Sequence, residues 1–212
     1  SDLNDKAILS DKLWRRVRNK LKNPLIFCAS SQYQHIKYSY FLTLNSIQTT
    51  DKIAFGGGCH WCTEAVFQTI KGVYDVEQGF IASTAPYDSF SEGVIVHFDS
   101  HIVSIKQLIE IHLHTHQSTS DHRFRTKYRS AMYWFREEQE SAFAKAISTL
   151  QPNFSKPIIT KALPFERFKL NDETFLAYYK RNPEAPFCRR YIDPKMKLLE
   201  RDFKEIFDPF LK

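Results

Sequence analysis

Phe55-Gly56-Gly57-Gly58-Cys59-His60-Trp61-Cys62-Thr63-Glu64 is the stretch on which the reading of this chain turns. Before it, residues 52–55 have the short apolar character of a strand. After it, Ala65, Phe67 and Ile70 recur at helical spacing, and Gly72 stands where a helix would end. A strand that passes through three glycines into a helix puts Cys59 at the helix start. Glycines let the backbone turn sharply and let a substrate come close. The first helical turn presents unpaired N–H groups and a partial positive charge, which favour a thiolate over a thiol. Thiolates attack electrophiles, so position alone makes Cys59 a candidate nucleophile. Cys62, three residues on, shares its helix face and is placed for a disulfide if local geometry permits. The competing reading is a pair of buried structural thiols, and the glycine run argues against it. Zinc fits less well, because one C-x-x-C without a matching pair leaves a tetrahedral site incomplete.

Outward from this stretch the punctuation is regular. Residues 73–80 and 93–98 read as strands, and Ile105, Leu108, Ile109 and Leu113 mark a helix between them and an aromatic strand over 128–135. A helix follows over 137–150, then a strand pair within 156–170, then late helices over 173–181 and 195–207. Strands interleaved with helices, without a nucleotide-type glycine fingerprint, predict an α+β class. The expected form is a two-layer sandwich: a mixed or antiparallel sheet with helices packed on it, around a ferredoxin-like core. His112, His114 and His116 alternate near a helix end, but alternate helical residues do not share a face, so no metal site is expected.

Composition narrows the function classes. Hydrophobic residues make up 42% of the 212 and charged residues 25%, as in an ordinary folded chain. A mean hydropathy of -0.42 and the lack of a long apolar run argue against a membrane-spanning segment. Four cysteines are too few for a disulfide scaffold, so each is read singly. Eighteen Phe, ten Tyr and three Trp point to aromatic packing or an aromatic-lined site. The net charge of +6 is uneven, since residues 1–50 hold eight Lys or Arg against three Asp. The main domain, 51–212, is close to neutral, and nucleic acid is not expected as its partner. In the basic extension, 1–50, residues 12–22 suit an amphipathic helix, which we read as docked or solvated. The apolar run at Leu25-Ile26-Phe27-Cys28 is too short for a secretion signal, and a cytoplasmic monomer is expected.

Four motifs, in order along 52–200, resemble the A-type peptide-methionine sulfoxide reductases. Gly57-Gly58-Cys59-His60-Trp61-Cys62-Thr63-Glu64 is similar to that family's Gly-Cys-Phe-Trp-x-x-Glu signature. Ser91-Glu92-Gly93-Val94 is similar to its strand with a catalytic glutamate, and Tyr128-Arg129-Ser130-Ala131 to its Gln-Tyr-Arg-Ser motif with a substrate-binding tyrosine. Asn182-Pro183 with Phe187-Cys188 resembles its C-terminal segment with a resolving cysteine. The departures are local. His60 stands where the family has Phe. Tyr87, before a shortened loop, takes the place of a second substrate tyrosine. Asp121 stands in for the aspartate of a missing Asn-Asp-x-Gly, and Thr174-Phe175-Leu176 replaces Tyr-His-Gln.

The resemblance implies reduction of methionine-S-sulfoxide, free or in proteins, with no bound cofactor and a thioredoxin-type dithiol as external reductant. The residues support the chemistry independently. Sulfoxide reduction needs attack at sulfur by a thiolate (Cys59) and a proton for the oxygen. Alternation puts Glu92 on the apolar face with Val94 and Val96, where burial would keep a carboxyl protonated. The Tyr128 hydroxyl could bond the sulfoxide oxygen, and Trp61 and His60 are placed for the substrate methyl. A second thiol must then clear the resulting sulfenic acid. Cys62 has proximity. Cys188 is favoured by the resemblance, with the 182–187 segment expected to swing. A thiol–disulfide oxidoreductase using Cys59 and Cys62, or a non-catalytic binding domain, are the alternatives.

Overall fold

The computed structural model describes residues 50–210; the expected helix over 12–22 and the rest of the basic extension lie outside them. Strand β1 (Thr50–Gly56) carries Ile53 and Phe55 on one face and Ala54 on the other, all three fully buried. It leads through the glycine turn to helix α1 (His60–Phe67), which ends before Gly72 turns the chain at a positive φ of 89°. A hairpin of β2 (Val73–Ala82) and β3 (Ser91–Asp99) follows. Helix α2 (Ile105–Thr115) then starts with a capping box: Gln107 N–H donates to Ser104 Oγ at 3.3 Å, and Ser104 N–H to Gln107 Oε1 at 2.9 Å. Next come β4 (Ala131–Trp134), α3 (Glu137–Leu150), β5 (Lys161–Pro164) and β6 (Arg167–Leu170).

The fold is α+β, with one six-stranded sheet in the order β5-β4-β1-β3-β2-β6. Every neighbouring pair is antiparallel except β4 and β5, which run parallel because α3 carries the chain between them. Val66 and Phe67 of α1, Leu108 and Ile109 of α2, and Phe143 and Leu150 of α3 pack on the sheet face formed by Ile53, Phe55, Val94, Val96 and Met132. Each such side chain contributes about 1.5–3 kcal/mol when fully buried. The opposite face holds a smaller cluster around Ala54, Ile95, Tyr133 and Leu163, to which Phe135 and Phe165 add. No helix among the described residues is long and apolar enough to cross a membrane.

Four expectations need correction. The strand pair within 156–170 exists as β5 and β6, but these strands do not pair with each other. They lie at opposite ends of the sheet, joined only by Phe165 and Glu166, so the sheet curls until its edges converge there. Phe165 N–H donates to the Trp134 carbonyl at 2.9 Å and Glu166 N–H to the Ala82 carbonyl at 3.3 Å. The aromatic strand over 128–135 is confined to β4, and Tyr128 precedes it in a loop. The helix over 173–181 is broken. A 3-10 turn, Glu173–Phe175, is separated from α4 (Tyr178–Arg181) by Ala177, whose φ is 50°. That left-handed residue donates its N–H to Glu64 Oε1 at 2.9 Å, which ties the segment to α1. The last helix also starts early, as a π-helical turn (Cys188–Ile192) running into α5 (Asp193–Asp202) with Pro194 in its first turn.

Candidate active site

Cys59 is the N-cap residue of α1. Its carbonyl accepts from the Cys62 and Thr63 N–H groups at 3.1 and 3.2 Å, and its half-buried side chain sits outside the helical ladder. The neighbouring Cys62 side chain is the main reason the Cys59 thiol is held below its ordinary value. Burial opposes it, the Trp61 N–H assists, and the nearby Glu92 charge opposes it as well. The neighbouring Cys59 side chain, together with burial, pushes the Cys62 thiol up. The two shifts run in opposite directions, which makes Cys59 the more acidic thiol of the pair.

Glu92 is 6% exposed on β3, and its carboxyl reaches the N-terminal end of the same helix. Its Oε2 accepts from the His60 N–H at 3.1 Å, and Lys127 Nζ lies 3.3 Å from Oε1. The Lys127 ammonium is pushed up by its bond with Tyr128 and by the Glu92 charge, and it stands 5.0 Å from the centre of the Tyr128 ring. Glu92 and Tyr128 thus share one exposed lysine.

Cys59, Cys62 and Tyr128 line an open cavity of about 770 Å³, with Phe124, Phe187 and Lys195. Lys195 donates to the Thr115 carbonyl at the end of α2. Burial pushes its ammonium down, while the charges of Cys62 and Cys59 hold it up. Cys188 is fully buried on the π-helical turn, in one cluster with Cys62, Ala65 and Ile192, and Cys59 packs at its edge. Burial and the Asp193 charge push its thiol up. Most of the 182–187 segment is exposed, and Phe187 at its end meets the rings of Trp61 and Tyr178 edge-on, at 5.4 and 6.0 Å.

None of the four expected substrate residues, His60, Trp61, Tyr87 and Asp121, lines this cavity, and neither does Glu92. Tyr87 and Asp121 line a separate one of about 450 Å³, where the Arg129 guanidinium and Lys161 Nζ lie 5.5 and 5.6 Å from the Tyr87 ring. Asp121 belongs to the segment between His116 and Tyr128, which wraps around Arg125. That guanidinium donates to the carbonyls of Ser120 (3.0 Å through Nε), Tyr128 (3.1 Å) and Gly57 (3.3 Å). Arg125 therefore shapes the cavity wall, and no sequence motif announced it. Trp61 also differs from expectation, since one face of its indole stacks on Tyr178 at 4.2 Å. The high aromatic content hinted at such an assembly without locating it. His60 points inward, where Phe80 meets it edge-on at 5.5 Å. The three alternating histidines are packing groups: His112 stacks on His116 at 4.0 Å and His114 on Phe154 at 4.7 Å.

A lowered thiol and a buried carboxyl at one helix end, on an α+β sheet, define a thiol-dependent redox site. The family model described as peptide methionine sulfoxide reductase matches residues 51–206. The chain belongs to the peptide methionine sulfoxide reductase family. It is 33% identical over 172 residues to peptide methionine sulfoxide reductase MsrA of Pasteurella multocida, covering 74% of this chain and 99% of that one. To the MsrA of Deinococcus radiodurans it is 34% identical over 167 residues, covering 71% and 81%. Among solved structures, Mxr1 from Saccharomyces cerevisiae in reduced form superposes with a TM-score of 0.59 at 20% identity, over 67% of this chain and 91% of that one. Methionine sulfoxide reductase A of Corynebacterium diphtheriae gives 0.56 at 23%, over 66% and 78%. These structures share the fold.

Proposed function

We propose that residues 51–212 form a catalytic unit that reduces the S epimer of methionine sulfoxide, free or in proteins, with residues 1–50 an extension of no assigned role. The observation that carries this reading is the placement of Cys59 and Glu92 at one end of α1, the thiol lowered and the carboxyl bonded to the next residue's N–H. The Cys59 thiolate attacks the sulfoxide sulfur while Glu92 supplies a proton to the oxygen. Oxygen passes to the Cys59 sulfur, so the sulfoxide is reduced by two electrons to the thioether and Cys59 is oxidised to a sulfenic acid. Tyr128, lining the same cavity, donates to the sulfoxide oxygen.

Cys188 then attacks the sulfenic acid, releasing water and forming a disulfide, and a thioredoxin-type dithiol returns both thiols by exchange. Membership of one cluster with Cys62 and Cys59 supports Cys188 as the resolving thiol. A specific observation favours a second reading, in which Cys62 resolves: it lies three residues from Cys59 on α1 and lines the same cavity. Incubation with each sulfoxide epimer and dithiothreitol tests the function. Loss of the S epimer alone is expected. Reduction of insulin disulfides with both epimers intact would replace this reading by a thiol–disulfide oxidoreductase, and neither activity would leave a binding domain.

A further inference from the structure

We propose that His60 is a positioning residue for Glu92, held in a single tautomer by a chain of side-chain hydrogen bonds that begins at Glu64 and runs through Gln78 and Asn171. The proposal rests on the reading of Glu92 as the proton donor, and it goes beyond that reading because the related family carries Phe at this position. The chain can be followed bond by bond. Both N–H groups of Gln78, which is fully buried, are committed: one goes to Glu64 Oε2 at 2.7 Å and the other to the Phe175 carbonyl at 3.2 Å. Gln78 therefore turns its Oε1 outward, and that oxygen accepts from Asn171 Nδ2 at 2.8 Å. Asn171 Oδ1 is taken by the Asp172 N–H at 3.0 Å, so the amide cannot be flipped without loss. The remaining Asn171 N–H faces His60 Nε2 at 3.2 Å.

A proton on His60 Nε2 would meet that amide hydrogen head-on, so Nε2 is the acceptor and the ring proton sits on Nδ1. The ring is also neutral. Burial is the main cause that lowers it from its ordinary value, the Glu92 charge pulls it up, Lys127 adds to the fall, and the Gly79 carbonyl opposes it. His60 Nδ1 is itself buried with no aligned hydrogen-bond partner among the described residues, and it lies 3.3 Å from Glu92 Oε2. That oxygen already accepts from the His60 backbone N–H at 3.1 Å. A small turn of the ring therefore gives Oε2 two donors from one residue, and leaves Oε1, 3.3 Å from the exposed Lys127 Nζ, to carry the proton toward substrate.

Nitrogen NMR of the unmodified protein reads the tautomer directly. A protonated-type Nδ1 and an acceptor-type Nε2 are expected, and the reverse assignment overturns the proposal. Side-chain substitution then tests its consequence, with single-turnover reduction of methionine sulfoxide as the readout. His60→Asn places an amide N–H near the Nδ1 position, and should keep the rate within about threefold. His60→Phe preserves the ring contacts with Phe80 but has no donor; it should slow the step by about tenfold or more, as loss of a bond to a charged group implies. KM should stay unmoved in both. If Phe outperforms Asn, His60 is only packing and the proposal fails. In a Glu92→Gln background, His60→Phe should cost nothing further, and an undiminished cost there also overturns it. Glu92→Gln alone separates the two levels, since no slowing in that single variant means that the acid reading has failed and the positioning role falls with it.

Discussion

The ring of His116 fills the space that a side chain on Gly57 would need: a Cβ there would come within 2.4 Å of Cδ2. The ring cannot step aside, because His116 Nδ1 is bonded to the His112 carbonyl at 2.5 Å and Nε2 to Ser130 Oγ at 2.8 Å. A Cβ on Gly58 meets nothing within 4 Å. Gly57→Ala should therefore lower stability by about 1–3 kcal/mol, as overpacking does. Gly58→Ala should leave the thermal midpoint close to wild type. Equal midpoints for the two variants would contradict the packing account.

The same histidine predicts acid sensitivity. Burial pushes His116 down to about 3, with the His112 carbonyl bond opposing and Arg125 adding to the fall, and burial holds His112 well below its ordinary value. Between the ordinary 6.5 and the folded value, the unfolded chain binds protons that the fold excludes. Their contribution is complete above pH 6.5 and is lost as pH falls through that window. Glu64, raised from 4.5 by burial, works in the other direction, favouring the fold at low pH. His60 is lowered in the same way, so with three histidines against one carboxyl, urea midpoints should fall from pH 7 to pH 4, and His116→Asn should flatten the profile. A flat wild-type profile would count against it.

Glu92→Gln keeps the size and a hydrogen-bonding group but delivers no proton. Single-turnover reduction should slow by about 10²–10⁴-fold while substrate binding persists. An unchanged rate removes Glu92 from the mechanism.

After one equivalent of methionine sulfoxide without reductant, peptide mapping should find Cys59 joined to Cys188. Cys188→Ser should stall as the sulfenic acid and lose thioredoxin-driven turnover, and Cys59→Ser should form no disulfide at all. A Cys59–Cys62 disulfide in the wild type, with Cys188→Ser recycling normally, assigns the resolving role to Cys62.

The parts of the molecule legible in the sequence were those decided by neighbours along the chain. Three glycines before a cysteine placed Cys59 at the start of α1, and simple alternation put Glu92 on the face of Val94 and Val96. Contacts between distant segments were hidden. Nothing local distinguishes β5 and β6 from a hairpin, because β5 seeks a parallel partner across α3 and β6 an antiparallel one in β2. Tyr87 and Asp121 were assigned by position in a motif, but the loop that should deliver Asp121 is shorter and is bound up by Arg125. His60 looked like a substitute for an aromatic wall. Its partner Asn171 is 111 residues away along the chain, and Asn171 in turn reaches back 93 residues to Gln78.

Residues 161–170 supply the outermost strand on both flanks of the sheet, each only four residues long. Until that short stretch has left the ribosome, β4 and β2 both present open rows of N–H and C=O groups to any passing chain. Protection of the two flanks against cross-chain pairing therefore arrives together, in one late step of synthesis. A premature stop ahead of residue 161 would leave a product exposed to self-association on two sides at once.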